Sequence, residues 1–396
     1  MTTLDAYLAE RLAPWQAADL ERRLRRWQPA ECAGVGHPDT GPLCLNFCSN
    51  DYLGLSQHPA LKAAAHAAVD ASGTGAGASR LVTGTQPLHL ALEADVAAWK
   101  QTEAALVFVS GYQANISLLP ALAQPGDVIY GDKHNHASLV DGCLLARQRH
   151  RGCQFVRYRH ADVAHLAHLL EKHQAAPGRH WIVTDTVFSM VGTLAPLSEI
   201  DALAQQFGAW LVVDEAHASG LYGPRRSGLC EALGVRPAVQ MGTFSKALGS
   251  MGAYVAGSAV CMHWLVQQAR GFVFSTAPSP PVVAANRAAV ALVQQQPALS
   301  EALWRNVAWL HAALAQHFPE GGLPAWGQSP IFCLPMAGNQ AALATAAALE
   351  ADGIFVQAIR PPTVPAACLR VTISATHSGQ QLSRLWECLG PRLIGL

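Results

Sequence analysis

The chain has 396 residues, with 27 lysines and arginines against 27 aspartates and glutamates, 51% hydrophobic residues and 14% charged ones. A composition this apolar excludes a disordered chain, and zero net charge excludes a field-driven partner such as nucleic acid or an anionic membrane, so an anionic ligand must be met by a local site. At ~100–200 residues per domain, the length accommodates one large domain and one smaller one.

Met1–Arg26 mixes acidic and basic residues with Leu4, Leu8, Leu12, Leu20 and Leu24 and has no uninterrupted apolar core. It reads as an amphipathic helix and not as a secretory signal. No stretch approaches ~18 consecutive apolar residues, so no transmembrane helix is expected and the cytoplasm is the expected compartment. Ten scattered cysteines without a CxxC pair are expected to be buried free thiols. Seventeen histidines include neither HExxH nor a spaced Cys/His cluster, so no metal is expected. Gly73–Arg80 is glycine-rich but lacks the preceding strand of a dinucleotide-binding turn, and reads as an irregular active-site or interface segment.

From about residue 85 helix-like stretches such as Pro87–Gln101 alternate with the short apolar runs Ala105–Val109, Asp127–Tyr130, Trp181–Thr184, Trp210–Val213 and Val239–Thr243. This alternation predicts βαβ units and a mostly parallel sheet covered on both faces. Ligands of such sheets gather at the carboxyl ends of the strands. Ser110-Gly111-Tyr112, Asp185 with Ser189, Asp214 with His217, and Ser245-Lys246 each follow a predicted strand. Beyond the proline-rich Ser275–Pro281, a long helix from about Val282, the segments Ile331–Pro335 and Leu369–Ser374 and a closing helix predict a smaller α+β domain. The expected division is an N-terminal helical segment at 1–48, a large domain at 49–281 and a small domain at 282–396.

Only five lysines stand against twenty-two arginines. Lys62, Lys100, Lys133 and Lys172 read as solvated surface charges. Lys246 follows an apolar strand among small residues, where desolvation lowers an amine's pKa and suits it to Schiff-base chemistry, although a strand-end lysine reaching solvent fits the same pattern. Asp214 ends the strand Leu211–Val213 and needs a cationic partner or several donors if buried. A pyridinium nitrogen is such a partner, and pyridoxal 5'-phosphate (PLP) sites pair an Asp with that nitrogen and a Lys with the aldehyde. His217 is placed to reach the cofactor's phenolic oxygen. A strand-to-helix turn at Gly111 offers N–H groups to a phosphate, Thr243 and Ser245 add hydroxyls, and His136 is a candidate for stacking on the ring or a satisfied structural histidine.

These residues, with Asn46–Leu55, Asn135–Ser138, Val187–Met190, Val213–His217 and Thr243–Lys246, resemble the α-oxoamine synthases nearly end to end. The resemblance implies PLP fold type I, with a mostly parallel seven-stranded sheet sandwiched by helices in the large domain and a smaller α+β C-terminal domain. It implies that Lys246 holds PLP and acts as base and acid at the substrate Cα. Asp214 would pair with the pyridinium, His217 contact its phenolic oxygen, His136 stack over the ring and border the substrate, and Ser189 lie near the cofactor oxygen. Gly111, Tyr112 and Thr243 would help fix the cofactor. Thr276, with Ser275 beside it, would reach the phosphate across a homodimer interface. Arg370 would grip the amino-acid carboxylate, Asn50 supply an active-site amide, and Thr363 with an N-terminal arginine, Arg25 or one of its neighbours Arg22, Arg23 and Arg26, contact the acyl substrate. One departure is Asp185, which stands where the family has Glu, so its hydrogen bond to Asn50 is expected to be long or water-mediated.

Ala358–Pro365 is most similar to members that condense L-alanine with a pimeloyl thioester, carried by CoA or by an acyl carrier protein. Members that acylate glycine or serine remain alternatives. A PLP-binding regulator without catalysis is the alternative of another class.

Overall fold

The computed structural model describes residues 3–18, 20–22, 24, 27–29, 35–38, 43–318 and 327–393. Two compact units are present. One comprises Leu53–Ser189 and Thr193–Glu301, the other Met1–Tyr52, Met190–Gly192 and Ala302–Leu396.

The larger unit is built on β1 (Ala104–Phe108), β2 (Val128–Asp132), β3 (Gln154–Tyr158), β4 (His180–Asp185), β5 (Trp210–Asp214), β6 (Val239–Thr243) and β7 (Ala253–Gly257). They form one sheet in the order β1-β7-β6-β5-β4-β2-β3. β7 runs antiparallel to β1 and β6, and all other pairs are parallel. Strands β2, β6 and β7 are buried at every residue, as parallel sheets covered on both faces require. Two strands have no counterpart in the expected runs. β3 is an edge strand with exposed Gln154 and Arg157, and β7 is a short Ala/Gly-rich segment. Helix Pro87–Lys100 ends as expected, with Gln101 in the left-handed conformation at its C-cap.

Three expectations are corrected. The N-terminal helix spans only Leu4–Ala17 and buries no residue, with Leu4, Leu8 and Leu12 exposed, so three leucines do not make a covered face there. The long helix is two, Pro280–Gln295 and Pro297–His317. Pro297 has no N–H to continue the ladder and drives Gln296 out of the helical region, to φ −122 and ψ 76. Lys100 is not a surface charge: it is 5% exposed and ion-paired with Glu215.

The second unit carries β8 (Ile331–Pro335), β9 (Gln357–Ile359) and β10 (Cys368–Thr372), antiparallel in the order β8-β10-β9. Trp27–Pro29, Val35–Pro38, Cys44–Asn46 and Ile354–Phe355 form a four-stranded sheet. The closing helix Gly379–Leu389 starts on a capping box made by Ser378 and Gln381. Among the described residues the nine cysteines are free, no cluster of three or more His, Cys, Asp or Glu could hold a metal, and no helix is long and apolar enough to cross a membrane.

His377 gives this unit a pH dependence. Its Nδ1 accepts from the Ser374 N–H at 3.1 Å and its Nε2 donates to the Asn46 carbonyl at 3.1 Å. Burial lowers its pKa from 6.5 to about 4. Between these values the unfolded chain takes up a proton that the folded chain refuses. Stability present above pH ~6.5 is therefore lost as pH falls toward ~4, by about 3 kcal/mol in all. Chemical unfolding across this window should show a shallower pH slope for His377→Asn than for the parent; identical slopes would contradict the assignment.

Candidate active site

The carboxyl ends of β4, β5 and β6 bring Asp185, Asp214 and Thr243 to one edge of the sheet, with Asp185 opposite Asp214, Asp214 opposite Met241, and Thr243 two residues beyond Met241. Asp214 is 3% exposed. Its Oδ2 accepts from Asn115 Nδ2 at 2.8 Å and its Oδ1 from the Ala216 N–H at 2.8 Å. Both of these donors are neutral. A buried carboxylate held by neutral donors is suited to a cationic ligand atom, and a protonated pyridine nitrogen fits that requirement.

The other end of such a cofactor is provided for as well. Helix Gly111–Leu122 starts at Gly111, its N-cap Ser110 accepting from the Gln113 N–H at 3.2 Å. The Gly111 and Tyr112 N–H groups have no partner within the helix and carry its positive end. A Cβ on Gly111 would meet nothing nearer than Met241 Cε at 3.7 Å, with Thr243 Cβ at 4.0 Å. That is ordinary contact, so protein packing does not demand glycine there, and close approach of a phosphate to the backbone is a reason for one. Thr243 Oγ1 lies 2.7 Å from Ser245 Oγ. These residues fit PLP.

His136 is the N-cap of the helix Ala137–Arg149. Its Nδ1 is 2.7 Å from Ser138 Oγ, Asn115 Nδ2 donates to the same oxygen at 2.9 Å, and Asn115 reaches Asp214. Asp214, Asn115, Ser138 and His136 thus form one hydrogen-bonded chain. Desolvation lowers the His136 pKa, Lys246 acting in the same direction and Asp214 against it, so the ring is neutral at pH 7.

Sequence reasoning missed Asn115 and Ser138 as site residues. The signal for Asn115 was its place one helical turn after Gly111, which puts both on one face. Lys246 is half-buried, His217 is buried, and Ser189 is half-buried within a turn that the Phe188 N–H closes by donating to the Thr193 carbonyl at 3.0 Å. The exposed Tyr112 hydroxyl hydrogen-bonds the Asp141 carboxylate, which raises its pKa. Ser275 is half-buried and Thr276 exposed.

Asp185 accepts from the His136 N–H at 2.7 Å. Burial, and then Asp214, raise its pKa well above 3.8, against the pull of the His136 N–H and Lys246. A carboxyl raised in this way favours folding while protonated, below pH ~4, and loses that contribution as pH rises through its folded value. Asp185→Asn in the PLP-free protein should therefore melt higher than the parent at pH 7, with a gain that shrinks toward pH 4. An equal change in melting temperature at both pH values would contradict this.

In the second unit Arg370, on buried strand β10, donates through Nη2 to Asn50 Oδ1 at 3.1 Å, and the Tyr52 hydroxyl donates to the same oxygen at 3.2 Å. Burial pushes Tyr52 up to about 12, Arg370 opposing. Arg25 lies outside the described residues. Arg22 approaches Thr363, Nη2 to Oγ1 at 3.4 Å.

The chain belongs to the aminotransferase class I and II family, whose model matches residues 42–389, and its cofactor is PLP. It is 46% identical over 383 residues to the 8-amino-7-oxononanoate synthase of Geobacter metallireducens, covering 95% of each chain. It is 47% identical over 396 residues to that of Anaeromyxobacter dehalogenans, covering 98% of this chain and 96% of that one. A serine palmitoyltransferase solved with PLP superposes with a TM-score of 0.90 at 27% identity, over 99% of this chain and 98% of that one. An 8-amino-7-oxononanoate synthase from Francisella tularensis, 24% identical, shares the fold with a TM-score of 0.74 over 88% of this chain and 97% of that one. The fold is PLP fold type I.

Proposed function

We propose that this chain condenses L-alanine with a pimeloyl thioester of CoA or an acyl carrier protein, releasing CO2 and the free thiol and forming 8-amino-7-oxononanoate, as a homodimer in the cytoplasm. The observation that carries this reading is the 46–47% identity to synthases of that name over at least 95% of the chain. The likeness to serine palmitoyltransferase is one of fold, and a fold does not choose the substrate.

Bound PLP supplies an electron sink conjugated to the amino acid's Cα. Lys246 holds the cofactor, then takes the Cα proton as a free amine and returns one after the carboxylate has left as CO2. Asp214, held by Asn115 and Ala216, keeps the ring nitrogen protonated. His136 covers the ring, and Ser189 and His217 serve its oxygen. The Gly111 and Tyr112 N–H groups and Thr243 hold the phosphate, joined by Thr276, with Ser275, from the second copy. Exposed Leu81, Val82 and Phe274 flank the Thr276 segment and support its being covered by that copy. Arg370, braced by Asn50, takes the amino-acid carboxylate, and Thr363 with Arg25 takes the acyl chain.

Mass spectrometry of the product from L-alanine and pimeloyl thioester, beside glycine with acetyl- or succinyl-CoA and serine with palmitoyl-CoA, tests the reading. A mass matching 8-amino-7-oxononanoate is expected. Turnover with glycine or serine alone sinks it.

A further inference from the structure

The glycine-rich segment Gly73–Arg80 has a structural role that the reaction leaves unused. Ser79 forms an isolated antiparallel bridge with Thr276, and the Ala277 N–H donates to the Ala78 carbonyl at 3.0 Å. The loop closes on itself so tightly that a Cβ on Gly84 would stand 2.1 Å from the Ala78 carbonyl oxygen. Arg80 fixes the loop from below: its two terminal nitrogens meet Glu93 at 2.7 and 2.9 Å, and its Nε meets Thr85 Oγ1 at 2.9 Å. Glu93 Oε1 also accepts from the Val107 N–H of β1 at 3.0 Å, so a buried bidentate pair ties the loop to the sheet.

His89 holds the other side of the same segment. It is 0% exposed. Its Nδ1 lies 3.1 Å from the Gln86 N–H and accepts from it, which leaves the proton on Nε2, 2.8 Å from the Pro278 carbonyl. A neutral imidazole in one tautomer therefore donates to the residue two beyond Thr276. The bridge to Ser79 and the bond to His89 hold 276–278 from two sides.

We infer that His89 is a positioning residue for PLP binding. It acts through the Pro278 carbonyl to set the Thr276 hydroxyl for a phosphate, on a loop anchored by Arg80 and Glu93. This rests on the reading of Thr276 as a phosphate ligand. The test is the dissociation constant of PLP, measured by absorbance titration of the PLP-free protein, for the parent, Thr276→Ala, His89→Ala, His89→Gln and the double variant Thr276→Ala/His89→Ala. Each alanine variant should weaken PLP roughly tenfold, the double variant no more than Thr276→Ala alone, and His89→Gln, whose amide can donate to Pro278, should recover most of the loss. A structural defect alone would lower the melting temperature without this non-additivity. If Thr276→Ala weakens PLP but His89→Ala leaves it unchanged, or adds its full effect in the double variant, the positioning role is wrong. If Thr276→Ala has no effect, the phosphate reading fails and the inference with it.

Discussion

Lys246→Ala should bring turnover below detection and remove the absorbance of lysine-linked PLP. Proton transfer by a placed side chain contributes ~10²–10⁴-fold, and the same substitution also removes the cofactor's covalent anchor. The backbone around the lysine is built to hold it in place. After β6 the Phe244 N–H donates to the Gly252 carbonyl at 2.9 Å, the Ser250 N–H to the Phe244 carbonyl at 2.8 Å, and the Gly249 N–H to the Lys246 carbonyl itself at 2.9 Å. Gly249 has φ +64, and a Cβ there would stand 2.3 Å from the Ser56 nitrogen, so the turn closes only with glycine. The alanine variant keeps these backbone bonds, and with both proteins PLP-free its melting temperature should stay near the parent's. Rate and stability thus separate: loss of rate with a retained melt is the expected result, and near-normal activity would overturn the assignment.

The residues that ended up at the carboxyl edge of the sheet were legible for a physical reason. A parallel strand buried on both faces reads as an apolar run, and the first polar residue after it marks where the strand meets the site. Asp185, Asp214 and Lys246 each stand at or just beyond such an end. What was not legible depends on contacts distant in the chain. β3 carries no strong apolar run because it is an edge strand, and β7 is apolar but short and rich in small residues such as Ala253 and Ala256. Asn115 looked like one more polar helix residue until the fold set it between Asp214 and Ser138. Lys100 closes an amphipathic helix, a position where a lysine usually faces water, and its partner Glu215 lies 115 residues later. The Gly73–Arg80 run had no strand before it to explain it. Its pairing partners, Thr276 and Ala277, lie about two hundred residues away, where no local pattern points.

Lys100→Met should be the most destabilising of these substitutions, by about 3–5 kcal/mol, because it strands the buried Glu215 carboxylate without its cation. The side chains of the pair are 1% and 0% exposed. Burial alone would lower the Lys100 pKa, but Glu215 overrides it and the net shift is upward, so the ammonium keeps its charge in the folded chain. The ammonium also donates to the Ser227 carbonyl at 2.7 Å, while Glu215 Oε1 accepts from the Cys230 N–H at 2.8 Å. In Lys100→Met/Glu215→Gln the charge disappears from both sides. The amide that replaces the carboxylate keeps a carbonyl oxygen to accept from Cys230, and its NH2 can donate in place of the ammonium. The double variant should therefore regain most of the loss, a coupling measurable by urea unfolding as a recovered midpoint. If it is no more stable than Lys100→Met, the stranded charge is not the cause. Because Glu215 directly follows Asp214 and the Glu215 carbonyl accepts from Ser219 Oγ at 2.9 Å, relaxation of the stranded carboxylate would displace Asp214, the proposed partner of the pyridinium, too. PLP affinity should accordingly fall with the single variant and return with the double.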